Sequence, residues 1–231
     1  MKKESTKNLI ISTLTEKATV KQDVYENTLA TFQMMKEVLH ELTIEYNQEI
    51  SPIDKRILLE FRDTEKFESE LKVHSDMLIF NMHSNIFEFD HDHSIWKTSY
   101  IQDNNLASYC GVINIYNFLS DSFKFNRFDD LGYMIARIFI NKDMHYFVEG
   151  KRQLGFLYND FGLHKIDRAI VKNILESAIL YTLDFDLLVP PYDTVKITTV
   201  AQMVERKNNA KVQTGKRLGF KFYADDDDVK Y

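Results

Sequence analysis

Between Val20 and Ser51 the chain reads KQDVYENTLATFQMMKEVLHELTIEYNQEI, a stretch with neither Gly nor Pro and rich in good helix formers. Tyr25, Phe32, Leu39 and Tyr46 fall seven apart, with Met35 and Leu42 at the complementary positions, so the pattern predicts one helix over 20–50 with a narrow, heptad-like apolar stripe. Such a stripe suits a single partner helix, in the same domain or in a second copy of the chain. Tyr25, Phe32, Met35, Leu39, Leu42 and Tyr46 are therefore the candidate partner-binding residues. Ser51 and Pro52 close the segment, because the residue before a proline is pushed out of helical angles.

From Arg56 to Tyr158 the texture changes to short runs rich in β-branched and aromatic residues, separated by Asp, Asn, Ser and His. RILLEFRD, DMLIFNM, NIFEFD, CGVINIYNFL, YMIARIFIN, MHYFVEG and LGFLYND are the predicted strands. His83 to Asn85 and Asn141 to Asp143 are short enough to be hairpin joins. Leu131, Met134, Ile135 and Ile138 also fit a helical period, so 131–140 is open between strand and helix, with strand preferred. LHKIDRAIVKNILESAILYTL is a second amphipathic helix that stops near Leu183, before Asp184 and Asp186 and the pair Pro190 and Pro191. TTVAQMVERKNNA predicts a short third helix, LGFKFY a late strand, and Asp225 to Asp228 a solvated acidic run.

The expected organisation is a polar segment 1–19, a helix 20–50, an α+β core 51–189 and a C-terminal extension 190–231. The fold class is α+β: an antiparallel sheet flanked by a long N-terminal helix and a C-terminal amphipathic helix.

Composition and charge narrow this picture. Seven Gly and three Pro in 231 residues exclude collagen-like and linker-rich chains and make glycine-rich phosphate cradles scarce. A formal charge of -6 argues against wholesale attraction to nucleic acid or anionic lipid. A lone Cys110 excludes an intrachain disulfide, and no apolar run has the length of a signal sequence or a membrane span, so the expected location is cytoplasmic with no membrane partner.

Candidate chemistry is sparse. Asp90-His91-Asp92-His93 places His91 and His93 on one face of an extended segment, the geometry of two metal-binding imidazoles, although zinc or iron normally takes a third protein ligand. Glu149-Gly150-Lys151 at a strand end has the spacing with which some nucleases hold magnesium and steer water, but Glu70-Leu71-Lys72 has it too. Cys110 reads as a small apolar strand residue. Thr214-Gly215-Lys216 lacks the first glycine and the following Ser or Thr of a phosphate-binding loop. Basic residues from Arg206 to Lys221 beside Phe220, Phe222 and Tyr223 suit single-stranded nucleic acid or an acidic protein surface, neither favoured over a solvated face.

CGVINIYNF, RIFINKDMHYFVEG, LGFLYNDF and the helix beginning near Asp167, with Gly111 and Gly155, resemble the later half of a GAF or PAS-type sensory domain across roughly 50–185. The resemblance implies a dimeric, ligand-binding regulatory module and names no cofactor. The leading expectation is thus a non-enzymatic, sensor-like protein, with Trp96, Tyr100, Tyr116, Arg137 and Tyr146 as candidate ligand-binding residues and a homodimer or helical partner. The alternatives are a metal-dependent hydrolase or nuclease using His91, His93 and Glu149, and an assembly protein acting through its heptad helix.

Overall fold

The computed structural model describes residues 5–128, 130–158, 161–184, 191–201, 203 and 204. A helix α1 (Thr6–Thr13) passes through a π-helical stretch (Leu14–Ala18) into α2 (Thr19–Ile50) without leaving helical geometry. Among the described residues seven strands follow: β1 (Glu60–Glu65), β2 (Glu68–Val73), β3 (Asp76–Met82), β4 (Phe87–Glu88), β5 (Tyr109–Leu119), β6 (Tyr133–Asn141) and β7 (Tyr146–Gly150). They form one antiparallel sheet in the order β1-β2-β3-β5-β6-β7, with β4 also paired to β5. A helix α3 (Ser99–Asp103) lies between β4 and β5, a helix α4 (Ser120–Lys124) follows β5, and α5 (Arg168–Leu183) closes the core. The chain is α+β, as the pattern predicts, and 131–140 is strand over most of its length rather than helix.

The apolar stripe of α2 covers the sheet. Phe32, Met35 and Leu39 are 0% exposed and Leu42 2%, packed with Leu71, Leu78, Phe80, Ile113, Ile115 and Ile138 of the sheet. Tyr25 and Tyr46 pack on the same core while partly buried. These six residues are therefore not a surface for a second chain, which corrects the partner-binding expectation. Periodicity identifies a buried stripe, and here the surface that buries it is a sheet of the same chain.

Two devices bring α2 against the sheet. Gly111 sits under the helix, where an added Cβ would lie 2.1 Å from the Thr28 hydroxyl oxygen. Gly111→Val is accordingly expected to cost at least the roughly 1–3 kcal/mol typical of overpacking, read as a lower urea midpoint. At the far edge, the buried Lys36 ammonium reaches Asp63 and the carbonyl oxygen of Glu65, clamping β1 where its pairing with β2 shifts register. Helix α5 lies beside α2, joined at the surface by Arg168 to Glu37 and Glu41 and by Lys172 to Glu45. Its start is capped by Asp167, whose carboxylate accepts from the Ile170 amide at 2.8 Å. Its inner face is Val171, Ile174, Leu175, Ala178 and Ile179, all buried.

Three strand expectations change. His83 to Asn85 do not turn a hairpin: β3 and β4 both pair with β5, so 83–86 is an interruption along one side of β5. LGFLYND is not a strand over its described residues. Arg152–Gly155 is a 3-10 turn that folds back on β7, with Gly155 so close that a Cβ would lie 2.3 Å from the Gly150 carbonyl oxygen. The segment ESELKV, rich in charge, is β2 with an alternating burial pattern. Asn141 to Asp143 do begin the β6–β7 hairpin. The predicted third helix is helical at 200, 201, 203 and 204; the LGFKFY strand, the basic stretch and the acidic run lie outside the described residues.

Candidate functional site

The second face of the sheet is covered differently. Successive residues of a strand point to opposite faces, so Gly111 and Ile113 face the helices while Cys110 and Val112 face away. Over Cys110, Val112 and Phe139 lies residues 89–108, a strap of short turns made of a 3-10 turn (Ser94–Lys97), α3 and a second 3-10 turn (Asn105–Ser108). The strap contributes Ile95, Ile101 and Ala107, all buried, and Phe89, Trp96 and Tyr100 around them; Phe147 and Phe161 complete the layer. Phe89 is the hub, with ring centroids 4.7 Å from Phe139 and 6.2 Å from both Phe147 and Phe161. The result is an aromatic layer only one strap thick.

At one end of the layer, a polar network forms at the β6–β7 turn. Asn141, 0% exposed, donates from its amide to the Tyr100 hydroxyl at 2.9 Å and the Ala107 carbonyl at 3.2 Å. Its side-chain oxygen accepts from the amides of Asp143 and His145, both at 3.0 Å, which shapes a turn containing Met144 at φ 62. Tyr100 in turn donates to Asp143 at 2.6 Å and packs against His145 with centroids 4.9 Å apart and the ring planes tilted by 56°. Burial, together with the Asp143 carboxylate, raises the Tyr100 hydroxyl far above its usual range. Burial pushes Asp143 upward, but the Tyr100 hydroxyl and Lys142 outweigh it and hold the carboxyl below its usual range. Gly162, at φ 97, allows the chain to pass against Tyr100, where a Cβ would lie 2.5 Å from the ring.

This network reaches the long helix. Asn27 of α2 donates to the carbonyl oxygens of Asn141 at 3.1 Å and Lys142 at 2.8 Å. One buried asparagine thus connects the strap, the hairpin turn and α2.

At the other end, His93 and Glu149 meet. His93 Nε2 lies 3.4 Å from Glu149, whose other oxygen accepts from Arg137. His93 Nδ1 accepts from the Ile95 amide at 3.3 Å and caps the first 3-10 turn, so a neutral His93 carries its proton on Nε2. A carboxylate–histidine pair acts as a base through the nitrogen turned away from the carboxylate, and here that nitrogen is held by the backbone. His91 stacks on Trp96 at 5.1 Å instead of joining His93. Among the described residues no group of three or more His, Cys, Asp or Glu side chains is placed to hold a metal. His91 and His93 as a metal pair is thereby corrected: the turn at Asp90 to His93 separates the two rings, which an extended strand would have aligned.

Of the expected ligand-binding residues, Trp96, Tyr100 and Arg137 surround the aromatic layer, Arg137 lying over the Phe139 ring at 5.2 Å. Tyr116 pairs with Ile79 and Met134 further along β5, beside Phe118, away from the layer. Tyr146 is buried in the opposite core against the helices. Neither joins the aromatic layer: a sheet has two faces and two ends, and residue type does not select between them. Cys110 is 1% exposed and burial raises its thiol well above the ordinary value, which removes it as a nucleophile. Phe89, Phe147, Asn27 and Asn141 were not among the expected site residues, and only the turn-forming pattern Asn-Lys-Asp marked this region. No helix among the described residues is long and apolar enough to cross a membrane. Comparison with protein-family models, with curated proteins and with solved structures finds no match, so the arrangement of these side chains carries the functional reading.

Proposed function

We propose that the chain is a non-enzymatic, sensor-like regulatory module that binds a small planar ligand or a partner's aromatic group at the strap-covered face and relays occupancy to the long helix. The observation that carries this reading is the continuous hydrogen-bonded path from Tyr100 through Asn141 to Asn27. A ligand entering the layer must displace the strap, and the strap is tied to α2 through one residue, Asn141, whose side chain donates to Tyr100 and whose main-chain carbonyl accepts from Asn27, so binding has differential contacts with two arrangements of the helix. The succession of a Gly-led apolar strand, a hairpin and a closing helix accords with the GAF/PAS-like resemblance.

The hydrolase reading is weaker because Arg137 engages Glu149 and the backbone engages His93. The assembly reading loses its stripe to the core. A homodimer or helical partner would have to use other surface, such as Leu9, Ile10, Ile11 and Leu14 of α1 and its π-helical continuation, each more than half exposed.

Trp96 is the single tryptophan of the chain and reports on the strap directly. A panel of aromatic acids, purines and indoles is screened for change in Trp96 emission and in melting temperature. The reading predicts a compound that changes both and alters amide exchange in α2 around Asn27. Divalent-metal-dependent hydrolysis of a phosphodiester, abolished by His93→Ala, would overturn it.

A further inference from the structure

The His145 ring, half-buried, packs against Tyr100 where the strap meets the β6–β7 turn, and its Nδ1 is buried with no hydrogen-bond partner. The neutral ring therefore keeps a lone pair there. A proton added at Nδ1 is a buried donor without an acceptor. The groups facing it are few. Tyr100 from α3 covers the ring, Asp143 lies in the same turn, and His164 and Lys165 arrive on the segment that bridges to His145 before α5. Of these only Asp143 offers a negative charge, and it is engaged by the Tyr100 hydroxyl and by Lys142. Burial holds the imidazole below its ordinary value of 6.5, and Lys165 and His164 oppose protonation further while Asp143 favours it.

We propose that His145 is an acid-operated release for the strap: proton uptake draws Asp143 from the Tyr100 hydroxyl or expels the ring from beneath Tyr100, and the aromatic face opens. Either route breaks the tie between strap and hairpin, because Tyr100 is shared by both. The sign follows from linkage. A histidine whose folded pKa is depressed contributes stability that is fully present above its unfolded value, is lost as pH falls below about 6.5 and levels off once the folded group titrates. Asp143, held below its ordinary value of 3.8, stays charged throughout that window. The release bears on function through the reading of the aromatic face as a binding surface, but its test needs no ligand.

Amide exchange of the full chain is followed by mass spectrometry at pH 7.5 and pH 5.0, with rates corrected for the intrinsic pH dependence. Residues 94–108 are expected to exchange about tenfold faster at pH 5.0, while the core amides of α2 near Leu39 do not change. His145→Phe keeps a ring under Tyr100 and removes the proton site, so it holds the pH 7.5 rate at both values. His93→Asn, which retains a capping side chain on the strap, leaves the acid response intact. If His145→Phe fails to fold, the NMR titration of the wild-type His145 ring decides, since its midpoint must coincide with that of Trp96 emission. Equal strap protection at the two pH values, a response surviving in His145→Phe, loss of the response in His93→Asn, or non-coincident midpoints would each overturn the proposal.

Discussion

Asn141→Ala is expected to destabilise the chain by about 3–5 kcal/mol, because it removes four hydrogen bonds of about 1 kcal/mol each and leaves buried partners unsatisfied. The loss is not confined to the turn. The Ala107 carbonyl, the Tyr100 hydroxyl and the amides of Asp143 and His145 all bond this one side chain, which joins the strap to the hairpin turn. Urea unfolding should show a lower midpoint with an unchanged slope, and Asn141→Asp should fall short of restoring it, since a carboxylate cannot donate to Ala107. A change below about 1 kcal/mol in Asn141→Ala, the worth of a single ordinary hydrogen bond, would mean that the network is decorative.

Phe32→Ala carries a comparable cost, about 3–5 kcal/mol, for a different reason. Phe32 is 0% exposed in the core between α2 and the sheet, so the substitution leaves a cavity that the sheet cannot close by moving one side chain. This result also separates two readings of the heptad stripe. A core residue lowers the urea midpoint independently of protein concentration, whereas an interface residue makes the midpoint concentration-dependent and shifts the mass seen by light scattering. The structure predicts the first.

That stripe shows how far the sequence reaches. The seven-residue spacing of Tyr25, Phe32, Leu39 and Tyr46 locates the helix and its buried side, because periodicity is a local property. It does not say what covers the stripe, which depends on strands arriving later in the chain. Strand β2 escaped notice because Glu68, Glu70 and Lys72 dominate its composition, although Ser69, Leu71 and Val73 between them are buried. β5 and β6 were legible as apolar runs buried on both faces, a consequence of having helices on one side and the strap on the other. The strap itself was not. Its turns are short, and its buried residues, Ile95, Ile101 and Ala107, are too widely spaced to form a pattern. Trp96, Tyr100 and Arg137, chosen by residue type, lie around the aromatic layer, while Tyr116 and Tyr146, chosen by the same rule, lie elsewhere. Asn141 could be read only as a turn residue. Its role comes from the convergence of α2, α3 and the hairpin, which no local pattern encodes.

The central claim is that the strap and the long helix are energetically coupled through Asn141. A double-mutant cycle on Asn27→Ala and Tyr100→Phe measures that coupling most directly, since the two residues touch Asn141 from opposite sides and each substitution removes only its own hydrogen bonds. The account predicts an interaction energy above about 0.5 kcal/mol, outside the range in which independent sites add. Additive effects, with the stability of the double variant equal to the sum of the two single losses, would contradict it.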